Sequence, residues 1–279
     1  MGNKTVLVLG ASGMLGSAIM SVLSESEDLD VLGTVRTLDQ VGPNKQIVMS
    51  DIQHVPTALD VFRPDIVINC IGLIKQRPEC SDHNLAIKIN SLFPHKLADQ
   101  CCTVGARLIH ISTDCVFLGN RGWYREDDRC DAEDLYGLTK IHGEVDYPNA
   151  ITLRTSIIGH ELKLPSYGLL EWFLSQEDRC SGFTEAVFTG LPTVELARVI
   201  RDFVIPKPNL HGIYHVASKP ITKYELLKVI AFYYNKSIQI DKDDRPMPDR
   251  SLDGTKFRMA TGYVAPDWPD LIKLMYQYQ

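Results

Sequence analysis

The sequence predicts an α/β fold: a doubly wound parallel sheet followed by a smaller C-terminal α/β part. Three observations carry this. The apolar run Lys4–Leu9 ends on a glycine-rich turn, strand-like runs then alternate with helical ones, and the texture changes after Ser156. The unbroken apolar character of Lys4–Leu9 is that of a strand buried on both faces. Residues 12–23 follow with Met14, Leu15, Ala18, Ile19 and Val22 at helical spacing. Further strands are read at Leu29–Val35, 46–49, 66–71, 106–112 and 151–155, with helices clearest over 85–104 and 136–147. Beyond Ser156, residues 159–168, 178–184 and 241–252 read as loops, 196–203 and 223–234 as helices, and 212–216 as a short strand.

Composition narrows the function classes. A formal net charge of −6 argues against a nucleic-acid or anionic-membrane partner, and no apolar run is long enough to span a bilayer. Met1-Gly2-Asn3-Lys4 has no signal-peptide layout and lacks the hydroxyl that myristoylation needs after Gly2. The seven cysteines are odd in number and scattered, without zinc-ligand spacing, as expected of reduced thiols in the cytoplasm.

Gly10-Ala11-Ser12-Gly13-Met14-Leu15-Gly16 lies between the first strand and the first helix. Glycines here let the chain turn tightly and let a dinucleotide pyrophosphate approach N–H groups at a helix N-terminus. Gly10, Ser12, Gly13, Met14, Leu15 and Gly16 are therefore cofactor candidates. At the end of the second strand stands Arg36, followed by Thr37, where an acid would accept from a ribose hydroxyl. Arg36 either holds a 2′-phosphate or is a solvated surface arginine; the first reading selects NADPH, with NADH allowed. Asp51, followed by Ile52, either meets an adenine amine or caps a loop.

Tyr136 and Lys140 stand at i and i+4 of a predicted helix and share a face. A neighbouring ammonium and an oxidised nicotinamide ring lower a phenol's pKa, so Tyr136 can protonate a carbonyl oxygen. By spacing alone the pair reads equally as a surface contact. It follows, however, a strand ending Ser112-Thr113-Asp114, at the sheet edge where open parallel sheets bind ligands. Thr113, ahead of Ser112, is the hydroxyl expected to bond the substrate oxygen.

The sequence resembles the extended short-chain dehydrogenase/reductase superfamily, a Rossmann-fold group, in the branch of dTDP-4-dehydrorhamnose reductases. The matching pieces are the glycine turn, Asn69-Cys70-Ile71-Gly72, Asn90, 112–119, Tyr136 to Lys140, and Leu153-Arg154-Thr155-Ser156. Gly190-Leu191-Pro192-Thr193, Gly212-Ile213-Tyr214-His215, Arg245-Pro246 and Ser251-Leu252-Asp253 extend the match across nearly the whole chain. The resemblance implies a catalytic set of Thr113, Tyr136 and Lys140, with Cys70, Ile71, Gly72 and Asn90 at the cofactor. It also implies an NADP-binding domain over 1–155 plus roughly 187–217, and a discontinuous nucleotide-sugar-binding cap over 156–186 and 218–279.

The expected activity is NADPH-dependent reduction of the 4-keto group of a nucleotide-linked 4-keto-6-deoxysugar, in deoxysugar biosynthesis. The alternatives are a non-catalytic cofactor-binding regulatory subunit and a nucleotide-sugar epimerase. Related dehydratases carry Thr-Asp-Glu where this chain has Thr113-Asp114-Cys115, and an unactivated thiol is a poor base. The rhamnose enzymes carry aromatic residues at the positions of Cys115 and Ile157, so both are substrate-pocket candidates. The loop carrying Lys75 and Arg77 is more basic than in that branch, and its charges meet a phosphate or are solvated. Arg179, Arg245 and Arg250 are diphosphate candidates, each otherwise a surface charge. Trp172 and Phe173 are read as buried packing, with stacking on a base as the alternative, and His110 and His215 as core histidines. Some relatives carry a metal-bridging carboxylate on the first helix; Ser17-Ala18-Ile19 offers none, so no metal is expected, and a homodimer is allowed.

Overall fold

A computed structural model describes residues 2–37, 40, 45–162, 166–245 and 247–278; Pro165 and Pro246 lie outside these. In chain order the first half comprises β1 (Lys4–Leu9), α1 (Met14–Ser24), β2 (Leu29–Val35), β3 (Gln46–Val48), α2 (Val55–Phe62) and β4 (Ile66–Asn69). It continues through α3 (His83–Ala86), a π-helical turn Ile87–Leu92, α4 (Phe93–Val104), β5 (Arg107–Thr113), α5 (Leu135–Ile141) and β6 (Ala150–Thr155). The second half comprises β7 (Ile157–Ile158), α6 (Leu169–Ser175), β8 (Arg179–Phe183), β9 (Val187–Phe188), β10 (Leu191–Pro192), α7 (Thr193–Val199) and β11 (Gly212–His215). It ends with β12 (Ile221–Thr222), α8 (Lys223–Tyr233), β13 (Gln239–Asp243), α9 (Thr255–Thr261) and α10 (Trp268–Gln277).

Seven strands form one parallel sheet in the order β11-β6-β5-β4-β1-β2-β3. Val6, Leu7, Val8 and Leu9 are wholly buried, because alternate residues of β1 face two different helical layers. Val6 and Val8 join the cluster packed by α1 and α7, whereas Leu7 and Leu9 join the one packed by α2 and α4. The strand order places β1, β4 and β5 side by side, so the loops following them share one sheet edge. Among the described residues no helix is long and apolar enough to cross a membrane.

Three elements differ from expectation. The predicted helix at 85–104 is one continuous rod, but its middle, Ile87–Leu92, is wound as a π turn. Residues 178–184, expected as a loop, contain β8, which pairs in parallel with β13; β13 runs into the start of the loop expected over 241–252. The helix expected over 136–147 stops at Ile141, and beyond it Gly143 passes so close to the Asn90 carbonyl oxygen that a Cβ there would lie 1.8 Å away. In α6, Leu170 and Phe173 are buried at i, i+3 spacing, which turns Trp172 outward instead of into the core.

Candidate active site

The glycine turn is built as its sequence requires. Gly10 has φ of +82°, a left-handed conformation that disfavours any side chain. A Cβ on Gly16 would come within 2.1 Å of the Gly10 carbonyl oxygen, so only glycine lets α1 seat this closely on the end of β1. Gly13 is the residue before α1, and no side chain caps that helix end. The N–H groups of its first turn are thereby left for a ligand. Gly10 and Ala11 donate to the hydroxyl and carbonyl of Thr34, which fixes the turn against β2. Ser12 Oγ and the Arg36 N–H both donate to Gln40 Oε1, at 3.1 and 3.3 Å, and the Arg36 side chain stands exposed beside them.

Asp51 caps the 3₁₀ turn Ile52–His54 by accepting from the Gln53 N–H at 2.9 Å. The loop after β4 begins at Cys70, whose N–H pairs with Leu9, and passes Ile71 and Gly72 beneath the glycine turn. Asn90 does not present a free amide to this site. It accepts from the Leu73 N–H at 2.9 Å, donates to the Leu73 carbonyl at 3.1 Å and reaches Thr139 Oγ1. Its part is to fix the loop and α5 relative to each other.

Thr113 ends β5 and Tyr136 opens α5. A Cβ on Gly137 would strike the Cys115 carbonyl oxygen at 2.6 Å, so glycine at this position lets the first turn of α5 close on the strand end. The Thr113 side chain stands beside the Tyr136 phenol and works to lower its proton affinity. It also accepts from the Cys115 N–H and lies 3.2 Å from Asp114 Oδ1. Ser112 is spent elsewhere, donating to Glu144 at 2.7 Å. Lys140 is buried and donates from Nζ to the Ile111 carbonyl oxygen at 2.8 Å. Asp134 caps α5 by accepting from the Gly137 N–H, and its other oxygen takes Lys75 Nζ at 2.7 Å. The loop after β4 is thus latched to the helix carrying Tyr136 and Lys140. A cleft of about 540 Å³ opens between them, lined by Lys75, Arg77, His83 and Tyr136 among others.

Burial sets the proton affinities. Lys140 is pulled down to about 8, with the Glu144 charge working the other way. Tyr136 is raised by burial, with smaller contributions from Cys115 and Asp114. Burial thus works against the lowering expected from the ammonium and an oxidised nicotinamide, because desolvating a phenolate is costly. Cys115 is pushed up to about 12 by burial and by Asp114, so its thiol is no base at neutral pH. Asp114 is raised by burial against the hydrogen bond from Ser156.

Beneath the site lies a buried network of Glu144, Arg154 and His215; Arg154 and His215 stand out in the sequence, but their pairing through Glu144 and with each other does not. Glu144 holds Arg154 by two hydrogen bonds of 2.7 and 2.8 Å, with both side chains about 5% exposed or less. His215, lowered to about 3 by burial and by Arg154, is neutral; it donates from Nδ1 to Tyr124 and accepts from Arg154 at Nε2. Arg154 is the one charged residue of β6, a strand buried along its whole length.

The substrate candidates divide. Cys115 flanks Tyr136, and Ile157 in β7 packs on the main core cluster. Arg250 donates from Nε to the Phe117 carbonyl oxygen, and its charge reaches Asp114, Cys115 and Asp134. Arg179 and Arg245 are instead engaged by Asp241 and Asp243 of β13. Among the described residues neither contacts Thr113, Tyr136 or Lys140.

The RmlD substrate binding domain family matches residues 4–278. Methionine adenosyltransferase 2 subunit beta of Danio rerio is 29% identical over 251 residues, 83% of this chain and 74% of that protein. A dTDP-4-dehydrorhamnose reductase of Streptomyces griseus is 37% identical over 139 residues, 50% of this chain and 43% of that one. The crystal structure of dTDP-4-dehydrorhamnose reductase from Bacillus anthracis, in complex with NADP, superposes with a TM-score of 0.83. It is 21% identical and covers 99% of this chain and 100% of that one.

Proposed function

The chain belongs to the RmlD substrate binding domain family, and on that premise we propose that it is an NADPH-dependent reductase of a nucleotide-linked 4-keto-6-deoxysugar. The observation that carries this reading is the meeting of Thr113 at the end of β5 with Tyr136 on α5, where Lys140 one turn on is tied to β5 through Ile111.

The glycine turn fits a dinucleotide. Its close approaches leave no room for side chains at Gly16, whereas a Cβ on Gly72 would meet nothing nearer than Asn90 Oδ1 at 3.6 Å. The first turn of α1 would hold the diphosphate, Arg36 the 2′-phosphate and residues 70–72 the nicotinamide end. Bound NADPH supplies a hydride to the substrate carbon. The chain's own residues handle the proton. Burial keeps Tyr136 protonated through the neutral range, which is the state an acid requires. Thr113 offers its hydroxyl beside the same phenol, so a carbonyl oxygen lodged there meets two donors. Lys140, charged below about pH 8, stabilises the phenolate left behind.

Residues 156–186 and 218–279 form the sugar-nucleotide side in this reading, and Cys115 with Ile157 replaces the aromatic residues of the rhamnose enzymes. The high proton affinity of Cys115 supports reduction over elimination of water. All seven cysteines are free thiols, which supports a cytoplasmic location.

The test is purified protein with NADPH and a panel of nucleotide-linked 4-keto-6-deoxysugars, followed by loss of reduced-nicotinamide absorbance. Turnover supports the reading, and none on any member refutes it. A second reading, a cofactor-binding regulatory subunit, rests on the similarity to methionine adenosyltransferase 2 subunit beta. Cofactor binding without turnover, together with capture of an enzyme partner, would favour it.

A further inference from the structure

The cleft beside Tyr136 carries a cation that the reaction as described does not use. Lys75 is neutralised by Asp134 at 2.7 Å. Arg77 is different. Its guanidinium lies 5.6 Å above the ring centroid of Tyr167, and no carboxylate among the described residues pairs with it. A guanidinium held on an aromatic face keeps its N–H fork available in its own plane, the geometry that grips a carboxylate or phosphate through two bonds.

Both sides of this stack are fixed in advance. On one side, the Arg77 N–H donates to Ile74 and its carbonyl accepts from Cys80, while Leu73 is clamped twice by Asn90 and Lys75 is latched to the cap of α5. On the other, the Tyr167 and Gly168 N–H groups both donate to Glu161 Oε2, at 2.7 and 2.6 Å. Little ordering therefore remains to be done when a ligand arrives.

We propose that Arg77, seated on Tyr167, is an anion-binding subsite that grips an oxyanion of the substrate while its ketone lies at Tyr136. The inference rests on the reductase reading. The oxyanion is the diphosphate joining sugar to nucleoside, since a 6-deoxysugar carries a methyl group and not a carboxylate at C6. Arg77 lines the same cleft as Tyr136, so the anion belongs to the molecule being reduced. The dinucleotide is the competing occupant, because a Cβ on Gly168 would lie 2.9 Å from Met14 Cε of the glycine turn, which puts the Tyr167 side near that turn.

The experiment measures binding of wild type, Arg77→Gln, Arg77→Lys and Tyr167→Leu by calorimetry. The probes are NADPH, UDP, dTDP, the corresponding nucleosides, UDP-glucose and UDP-glucuronate. For Arg77→Gln, UDP or dTDP affinity is expected to fall about tenfold or more if the diphosphate is the anion. A loss confined to UDP-glucuronate places a sugar carboxylate at Arg77 and overturns the diphosphate assignment. Arg77→Lys recovers part of the loss because it keeps charge without the fork, and Tyr167→Leu reproduces a part of it. A loss confined to NADPH overturns the proposal and hands Arg77 to the cofactor. Unchanged affinities for every probe that wild type binds overturn it as well. A wild type that binds NADPH but no nucleotide or nucleotide sugar refutes the reductase reading, and the subsite with it.

Discussion

Lys140 Nζ donates to the carbonyl oxygen of Ile111 at 2.8 Å, which ties the catalytic helix to the strand that delivers Thr113. The same burial that shapes this contact lowers the ammonium to about 8. Below that value Lys140 is charged and able to stabilise a phenolate, and above it the charge is lost. Tyr136 titrates higher still, so it stays protonated across this limb. We expect kcat/KM for ketone reduction to fall as pH rises through about 8, a profile that reports groups of the free enzyme. The linkage runs the opposite way. A lysine whose folded pKa is depressed destabilises the fold at lower pH, and that penalty is relieved between about 8 and its unfolded value of about 10.4. A rate profile flat to pH 9.5 would exclude Lys140 as the group concerned.

Tyr136→Phe removes only the phenolic oxygen, so the fold and the glycine turn are left intact. Loss of a positioned acid costs about 10²- to 10⁴-fold in rate. The expected result is a kcat reduced by that order with NADPH affinity within about twofold of wild type. A variant of undiminished kcat shows that another group donates the proton.

Much of the frame was readable before any coordinates, for physical reasons that differ along the chain. β1 was bounded correctly because its buried run meets no polar residue before the glycine turn, and β2 was bounded correctly although the exposed Asp30 interrupts it. β8 was misread because its partner β13 lies some sixty residues on, and pairing at that distance leaves no local pattern. The π turn at Ile87–Leu92 was invisible because helical periodicity does not separate i→i+4 from i→i+5 winding over a single turn. That Thr113, Tyr136 and Lys140 come together at one sheet edge was legible from spacing and strand placement. The direction of the Tyr136 shift was not, since desolvation depends on what covers the ring.

Glu144 does two things at once. It satisfies Arg154 in a bidentate pair, and its charge holds Lys140 higher than burial alone would leave it. Glu144→Gln removes the charge while keeping the shape, so the alkaline limb of the rate profile should move below about 8. Glu144→Ala strands a buried guanidinium, at a cost of about 3–5 kcal/mol in urea unfolding. An unmoved limb in Glu144→Gln would sever the link between the two groups.

Gly16→Ala places a methyl 2.1 Å from the Gly10 carbonyl oxygen, in a contact made of backbone on one side. The helix must back away from the turn, at a cost of about 1–3 kcal/mol. The displaced first turn of α1 should weaken NADPH binding by more than that loss of stability explains at a temperature where the variant is folded. Fluorescence titration checks it, and unchanged NADPH affinity would remove α1 from the cofactor site.

We expect Arg36 to decide the choice of dinucleotide. Its backbone N–H and Ser12 Oγ converge on Gln40 Oε1, so the end of β2 is fastened to the glycine turn while the guanidinium remains exposed. A charge-assisted pair with a 2′-phosphate contributes about 1.5–3 kcal/mol, or roughly 10- to 150-fold in affinity. Arg36→Asp replaces that donor with a carboxylate that repels the phosphate and accepts from a ribose hydroxyl. Two effects therefore add: NADPH weakens and NADH strengthens. The ratio of kcat/KM for NADPH to that for NADH should fall at least tenfold, with kcat on saturating NADPH little changed because Arg36 lies far along the dinucleotide from the hydride. If the ratio is the same in both proteins, Arg36 is a solvated surface charge and the preference must be set elsewhere on the adenosine side.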